Sequence, residues 1–301
     1  MPMIRMVVFF VCCLLTASPV FAAPKLVASL KPLADLAAGV VGDPSRVELL
    51  LPGGASPHSF TLRPSQMRAL AAADLVVWVG PQLENFLVRH LASLPEERLL
   101  TFGSLSGVRL LPARRGGAWR HEAVEHDEDG DIDPHLWLDP DNARLLVLAL
   151  AERLAGIDPE NGTDYRRRAE RLAGWIAALQ QGLSDRLAAV RTKKYLVFHD
   201  AYQYFERAFG LEPLGALAIH PDRPPGARRL RELRDLLRRS GAVCVFSEPQ
   251  FEPKLLRVLT EGLALRHGQL DPLGVDRPVS GASYLDLLAG LGDGLVSCLS
   301  N

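Results

Sequence analysis

The chain has 301 residues, 48% hydrophobic and 23% charged, with 34 basic against 35 acidic residues. A formal net charge of −1 gives no global electrostatic reason to bind nucleic acid or an anionic bilayer. Collagen-like, disordered and disulfide-dense classes are excluded by composition, which leaves a globular protein with chain enough for two domain-sized cores.

The first 22 residues read as a signal peptide. Residues 1–5 make a short positive n-region, 6–16 are almost wholly apolar, and Val20-Phe21-Ala22 carries the small residues of a signal-peptidase site. The apolar run is too short to span a bilayer, and no later segment reads as a span. The mature chain is therefore expected to be exported and soluble.

After the leader, short apolar runs at 25–30, 47–51, 75–79 and 98–102 read as strands, separated by helical spacing at Leu33-Ala37-Val40 and over 64–73. Runs at 195–198, 213–219, 242–246 and 267–270 repeat the style in the second half. Continuous apolar runs, rather than alternation, indicate strands buried on both faces of parallel sheets. The fold class expected is α/β, with two lobes of parallel sheet flanked by helices. Between them, Asp139-Pro140 opens a helix as cap and first residue, and Asp158-Pro159 starts a second helical run to about Val190. The boundaries that follow are an N-terminal lobe over 23–155, a linking helix over 156–191 and a C-terminal lobe over 192–301. Gly162, Gly174 and Gly182 count against an unbroken helix.

Residues 112–134 differ from the rest. Seven carboxylates gather between His121 and Asp133, together with His126, and so little apolar material cannot bury a core. A mobile, solvated acidic loop is one reading. The other is a low-affinity collector of divalent cations in which His121 and His126 take part. In the C-terminal lobe, export places Cys244 and Cys298 in an oxidising compartment. They allow one pairing, a disulfide that would tie down the C-terminal tail; the alternative is two buried, unreactive thiols.

Of the eight histidines, His58 and His199 follow strand-like runs, one in each half, and His135 lies just before the interlobe helices. Ligands of open parallel sheets bind beyond the carboxyl ends of strands, so a ligand between His58 and His199 would bridge the lobes. Spacing alone does not make them ligands, because no pair matches a zinc finger or an H-E-x-x-H helix.

Four ordered motifs carry more. Pro52-Gly53-Gly54-Ala55-Ser56-Pro57-His58, Asp133-Pro134-His135-Leu136-Trp137-Leu138-Asp139-Pro140, Val197-Phe198-His199-Asp200-Ala201-Tyr202 and Val245-Phe246-Ser247-Glu248-Pro249-Gln250 resemble the metal-binding receptors of bacterial ABC importers. The group they look most like is the periplasmic zinc receptors of the ZnuA kind. The resemblance implies two α/β lobes joined by a long helix, with metal in the cleft, and it places metal ligands on His58, His135 and His199. It puts a fourth ligand on Asp271 of Leu270-Asp271-Pro272-Leu273-Gly274, with water as the alternative, since Pro57 stands where some zinc receptors have a carboxylate. Glu248 and Asp200 are expected to order either the loop or a histidine from behind.

Three imidazoles and a carboxylate suit Zn²⁺, whereas Mn²⁺ prefers more oxygen. Affinity should fall as pH drops through roughly 6.5, where imidazoles protonate. The expected function is capture of Zn²⁺ as cargo in the periplasm and delivery to an ABC permease membrane subunit with its ATPase. The protein is expected to be a monomer, to serve no nucleic acid, and to meet a periplasmic metallochaperone as a further partner. The competing readings are an exported zinc-dependent hydrolase and a manganese-binding or metal-buffering protein. No well-placed general base speaks for an enzyme.

Overall fold

The computed structural model describes residues 23–53, 55–58, 60–119, 132–218, 225–251 and 254–300. Residues 1–22, expected to be a signal peptide, and the loop histidines His121 and His126 lie outside the described residues.

The N-terminal sheet contains β1 (Leu26–Ala28), β2 (Val47–Leu49), β3 (Leu75–Trp78) and β4 (Leu99–Thr101) in the order β2-β1-β3-β4. The C-terminal sheet contains β5 (Tyr195–His199), β6 (Gly215–Ala218), β7 (Cys244–Ser247) and β8 (Arg266–Gln269) in the order β6-β5-β7-β8. All pairings are parallel; Leu26 faces both Val47 and Leu75, and Leu196 faces both Gly215 and Val245. The central strands β1, β3 and β5 are buried at every residue, as continuous apolar runs require, while the edge strands β2 and β8 are partly exposed. In each sheet the chain leaves its first strand to one side and then crosses to the other. The reversals lie between β1 and β3 and between β5 and β7, and they open a crevice at the carboxyl ends.

Helices α1 (Lys31–Val41), α2 (Pro64–Ala72) and α3 (Asn85–Leu91) accompany the first sheet, and α6 (Gln203–Phe209), α7 (Ala227–Ser240) and α8 (Lys254–Thr260) the second. Between the lobes, α4 (Pro140–Ile157) starts at Asp139, whose carboxylate accepts from the Asp141 N–H at 2.9 Å. A single 3₁₀ turn (Pro159–Asn161) then leads into α5 (Gly162–Leu187), an antiparallel partner of α4 about 39 Å long at 1.5 Å per residue. Gly174 and Gly182 do not break α5. A Cβ at either would meet nothing within 4 Å, so both lie away from the packed face. The buried stripe Tyr165, Ala169, Leu172, Ile176, Leu183 and Leu187 holds the helix instead.

The last helix, α9 (Gly281–Leu299), is long and apolar enough by length and composition to cross a membrane, contrary to the sequence expectation. Its apolar stripe, Leu287, Leu288, Leu291 and Leu295, is buried in the core. The helix packs on α5, β8 and, across the molecule, α1. There Gly39 and Gly281 bring the backbones together: a Cβ built on Gly281 would lie 2.8 Å from the Gly39 Cα. The buried Asp35 carboxylate takes the Ser280 N–H at 3.0 Å and pairs with Lys31 at 2.6 Å. One apolar cluster consequently runs through α1, α4, α5 and α9 and the facing strands of both sheets, and a smaller cluster lies against the outer face of the C-terminal sheet.

Cys244 on β7 and Cys298 on α9 form a disulfide with a Cα–Cα distance of 6.1 Å. Closing a loop of this length is worth about 2–4 kcal/mol. Reduction, or Cys298→Ser, is expected to lower the Tm by on the order of 5–10 °C, and titration of native oxidised protein should find neither thiol reactive.

Candidate metal site

The crevices of the two sheets face each other, and each lobe supplies an imidazole. His199 is the last residue of β5, the strand at the reversal of its sheet, and is 4% exposed. His58 lies in the turn after β2, where its N–H donates to Ser56 Oγ at 3.3 Å. His135 opens a 3₁₀ turn (Leu136–Leu138) ahead of α4 and is as buried as His199. The ring centroids are 5.7 Å apart for His58 and His135, 5.3 Å for His58 and His199, and 5.0 Å for His135 and His199.

One nitrogen of each ring lies within 4.8 Å of the others. A tetrahedral ion with Zn–N near 2.0–2.1 Å would hold its donors roughly 3.4 Å apart, so a small inward movement of the rings completes the cage. The cavity they line measures about 20 Å³, with Ser56, Trp137, Glu248, Gln250, Phe251 and Leu273 in its walls. That is room for an ion and a water.

Two carboxylates stand behind the rings. Asp133 Oδ1 lies 2.7 Å from His135 Nδ1 and also accepts the His135 N–H at 3.0 Å, an Asx turn that leaves Nε2 for the cavity. Glu248 Oε1 lies 3.6 Å from His199 Nδ1. Burial pushes the Glu248 carboxyl up to about 8, against a lowering by the Tyr202 hydroxyl. The Asp133–His135 pair fixes the orientation of that ring and raises the basicity of its donor nitrogen, whereas Glu248 Oε1 lies near His199 without a hydrogen bond to it. Glu248, expected to order its loop or a histidine, lies beside His199. Asp133 is an addition, and its place two residues before His135 is the local signal that marks it.

Asp200, next to His199 in the chain, takes its ion pair from the segment after β4. It is held by Arg114, whose Nε donates to Asp200 Oδ1 at 3.0 Å and whose Nη1 donates to Glu206 Oε2 at 2.7 Å. Burial raises the carboxyls of both Asp200 and Glu206, the latter to about 7, and the guanidinium opposes that shift. Arg114 also covers the Trp119 ring at 3.6 Å. The described parts of 112–134 are thus docked rather than loose. Pro112 bridges to Ile132, the Asp133 N–H donates to Leu111 O at 2.9 Å, and Asp133 is 4% exposed. The sequence reading missed Arg114 because its partners are remote in the chain.

Asp271 is not brought into the histidine group. Its Oδ1 accepts from Gln250 Nε2 at 2.7 Å and from the Leu273 N–H at 2.9 Å, and its Oδ2 accepts from the Val275 N–H at 2.8 Å. It shapes the turn after β8, whose Pro272 carbonyl takes Trp137 Nε1–H at 2.7 Å.

The chain is similar to known proteins along nearly its whole length. The family model described as "Zinc-uptake complex component A periplasmic", ZnuA, matches residues 26–298. The high-affinity zinc uptake system protein ZnuA of Yersinia pestis is 37% identical over 303 residues, which cover 95% of each chain. A crystal structure of ZnuA shares the fold with a TM-score of 0.78 at 24% identity, covering 92% of this chain and 100% of that one. FpvC of Pseudomonas aeruginosa, solved in complex with Mn²⁺, has a TM-score of 0.75 at 23% identity, over 93% of this chain and 99% of that one. With the family model spanning nearly the whole described chain and a relative of this identity at full length, the protein belongs to the ZnuA family of periplasmic zinc-uptake components.

Proposed function

We propose that this protein is the periplasmic receptor of a zinc importer. It takes one Zn²⁺ between its lobes on His58, His135 and His199 and presents it to an ABC permease membrane subunit driven by its ATPase. The observation that carries the reading is the convergence of three imidazoles, drawn from both lobes and the segment between them, on a cavity of ion size. Residues 1–22 act as the cleaved leader that delivers the chain to the periplasm. One chain supplies all three histidines, which supports a monomer.

Donor chemistry favours zinc over manganese. The FpvC structure holds Mn²⁺ in a similar fold, so the fold does not choose the ion. Three nitrogens suit Zn²⁺ better than the oxygen-seeking Mn²⁺. The size of the cavity also favours a bare ion over the organic substrate a zinc hydrolase would need. For the fourth position the choice lies between Asp271 and water, and the three hydrogen bonds already held by Asp271 support water.

Isothermal titration of metal-stripped protein with Zn²⁺ should give one tight site. His58→Ala, His135→Ala or His199→Ala should abolish tight binding, while Asp133→Ala should weaken it by about 10–100-fold. Acidification should weaken the parent, since imidazoles bind only when neutral and binding releases protons. Tight binding that survives loss of any of the three histidines would overturn the reading.

His121 and His126 are proposed to collect cations weakly ahead of the tight site and to accept them from a periplasmic metallochaperone. Deleting residues 120–131, which leaves Arg114, Trp119 and Ile132 in place, should remove weak binding events and keep the tight one. An unchanged number of weak sites would refute the collector. By contrast, Arg114→Ala strands two buried carboxylates and should cost about 3–5 kcal/mol in urea denaturation.

A further inference from the structure

We propose that Gln250 holds the water that completes the zinc coordination, its amide oxygen accepting a water hydrogen while Asp271 fixes the orientation of the amide. This rests on the zinc reading above and adds a residue that decides what occupies the fourth position.

Gln250 lines the same cavity as His58, His135 and His199, and Asp271 does not. An ionised carboxylate only accepts hydrogen bonds, so the end of the amide that lies 2.7 Å from Asp271 Oδ1 must be the NH₂ group. The oxygen is therefore assigned by chemistry. Gln250 Oε1 is buried and has no hydrogen-bond partner among the described residues. An acceptor in that state costs roughly 1–3 kcal/mol unless a donor reaches it.

A zinc-bound water is such a donor, because the ion polarises its O–H bonds. The cavity has room for one. Glu248 Oε1, also buried in the wall without a hydrogen-bond partner among the described residues, lies 3.6 Å from His199 Nδ1, which a small shift would make its donor; that shift leaves the water to Gln250. A neutral amide pulls a proton less strongly than a carboxylate would, so the water stays a weakly held, exchangeable ligand rather than becoming a hydroxide nucleophile.

Co²⁺ in place of Zn²⁺ gives a visible d–d spectrum that reports the fourth ligand, and azide serves as a probe that only accepts hydrogen bonds. An amide oxygen stabilises water and opposes azide, so the two affinities should move in opposite directions on removing it. In Gln250→Leu, Zn²⁺ binding should weaken by about 5–10-fold, and azide should bind the Co²⁺ protein several-fold more tightly than it binds the parent. General loosening of the site would weaken both. A parallel loss of both affinities, or a spectrum that azide leaves unchanged in the parent and in Gln250→Leu, overturns the proposal; the second result would put a protein carboxylate in the fourth position. Absence of any metal-dependent spectrum in the parent would overturn the zinc reading itself and this proposal with it.

Discussion

The site depends on a core that its two lobes share. His58 and His199 belong to different sheets, yet their donor nitrogens must stand within a few ångströms of one point, so the lobes need a fixed relation. The apolar cluster through α1, α4, α5 and α9 supplies it. Polar ties cross the same boundary: the Tyr284 hydroxyl donates to Trp137 O at 2.7 Å, and the Tyr204 hydroxyl accepts from the Leu111 N–H and donates to Asp133 O, both at 2.9 Å. Exposing one buried Leu or Ile from this core costs about 1.5–3 kcal/mol. A wide hinge would expose many, so admitting an ion is cheaper through the half-exposed turn that carries His58 than through separation of the lobes.

Electrostatics then sets what the fixed cavity attracts. Neutral imidazoles alone would give a site with little field. Asp133 and Glu248 place anionic or ionisable oxygen directly behind two of the rings, in surroundings where water does not screen them. Burying a carboxylate this way is unfavourable until a cation arrives, as the upward displacement of Glu248 shows. Asp200 would add a further charge beside His199, but Arg114 neutralises it and ties it to Glu206. The balance is local, and the near-zero net charge of the chain says nothing about it.

The eight strands could be read from the sequence because apolar runs buried on both faces are a local signal, and each begins or ends within two residues of its expected place. The long helix was legible too, with its glycines as the weak point; the stripe of buried residues outweighed them because Gly174 and Gly182 face outward. The three histidines were different. No spacing rule joins His58, His135 and His199; their places at strand ends and before the interlobe helices drew notice, but only the motif resemblance made all three ligands. Arg114 was hidden for the converse reason: it begins a charge-rich stretch, and its partners lie more than 80 residues on. Asp271 stood in a recognisable motif, but whether a carboxylate faces a metal or its own turn is decided by backbone N–H groups that a sequence does not locate.

The C-terminal helix connects the remote parts of this scheme. Cys298 fixes the end of α9 to β7, and the start of α9 is fixed to α1 through Ser280 and Asp35. Between these anchors Tyr284 holds the Trp137 carbonyl, and the Trp137 indole holds Pro272 O while its ring packs edge-on against His135, with centroids 5.3 Å apart. The same Pro272 follows Asp271, which orients Gln250. Loosening α9 would therefore act on both sides of the cavity at once, on the ring of His135 and on the wall opposite. The disulfide lies outside the cavity, yet through this chain of contacts it helps keep imidazole and amide in register for the same small ion.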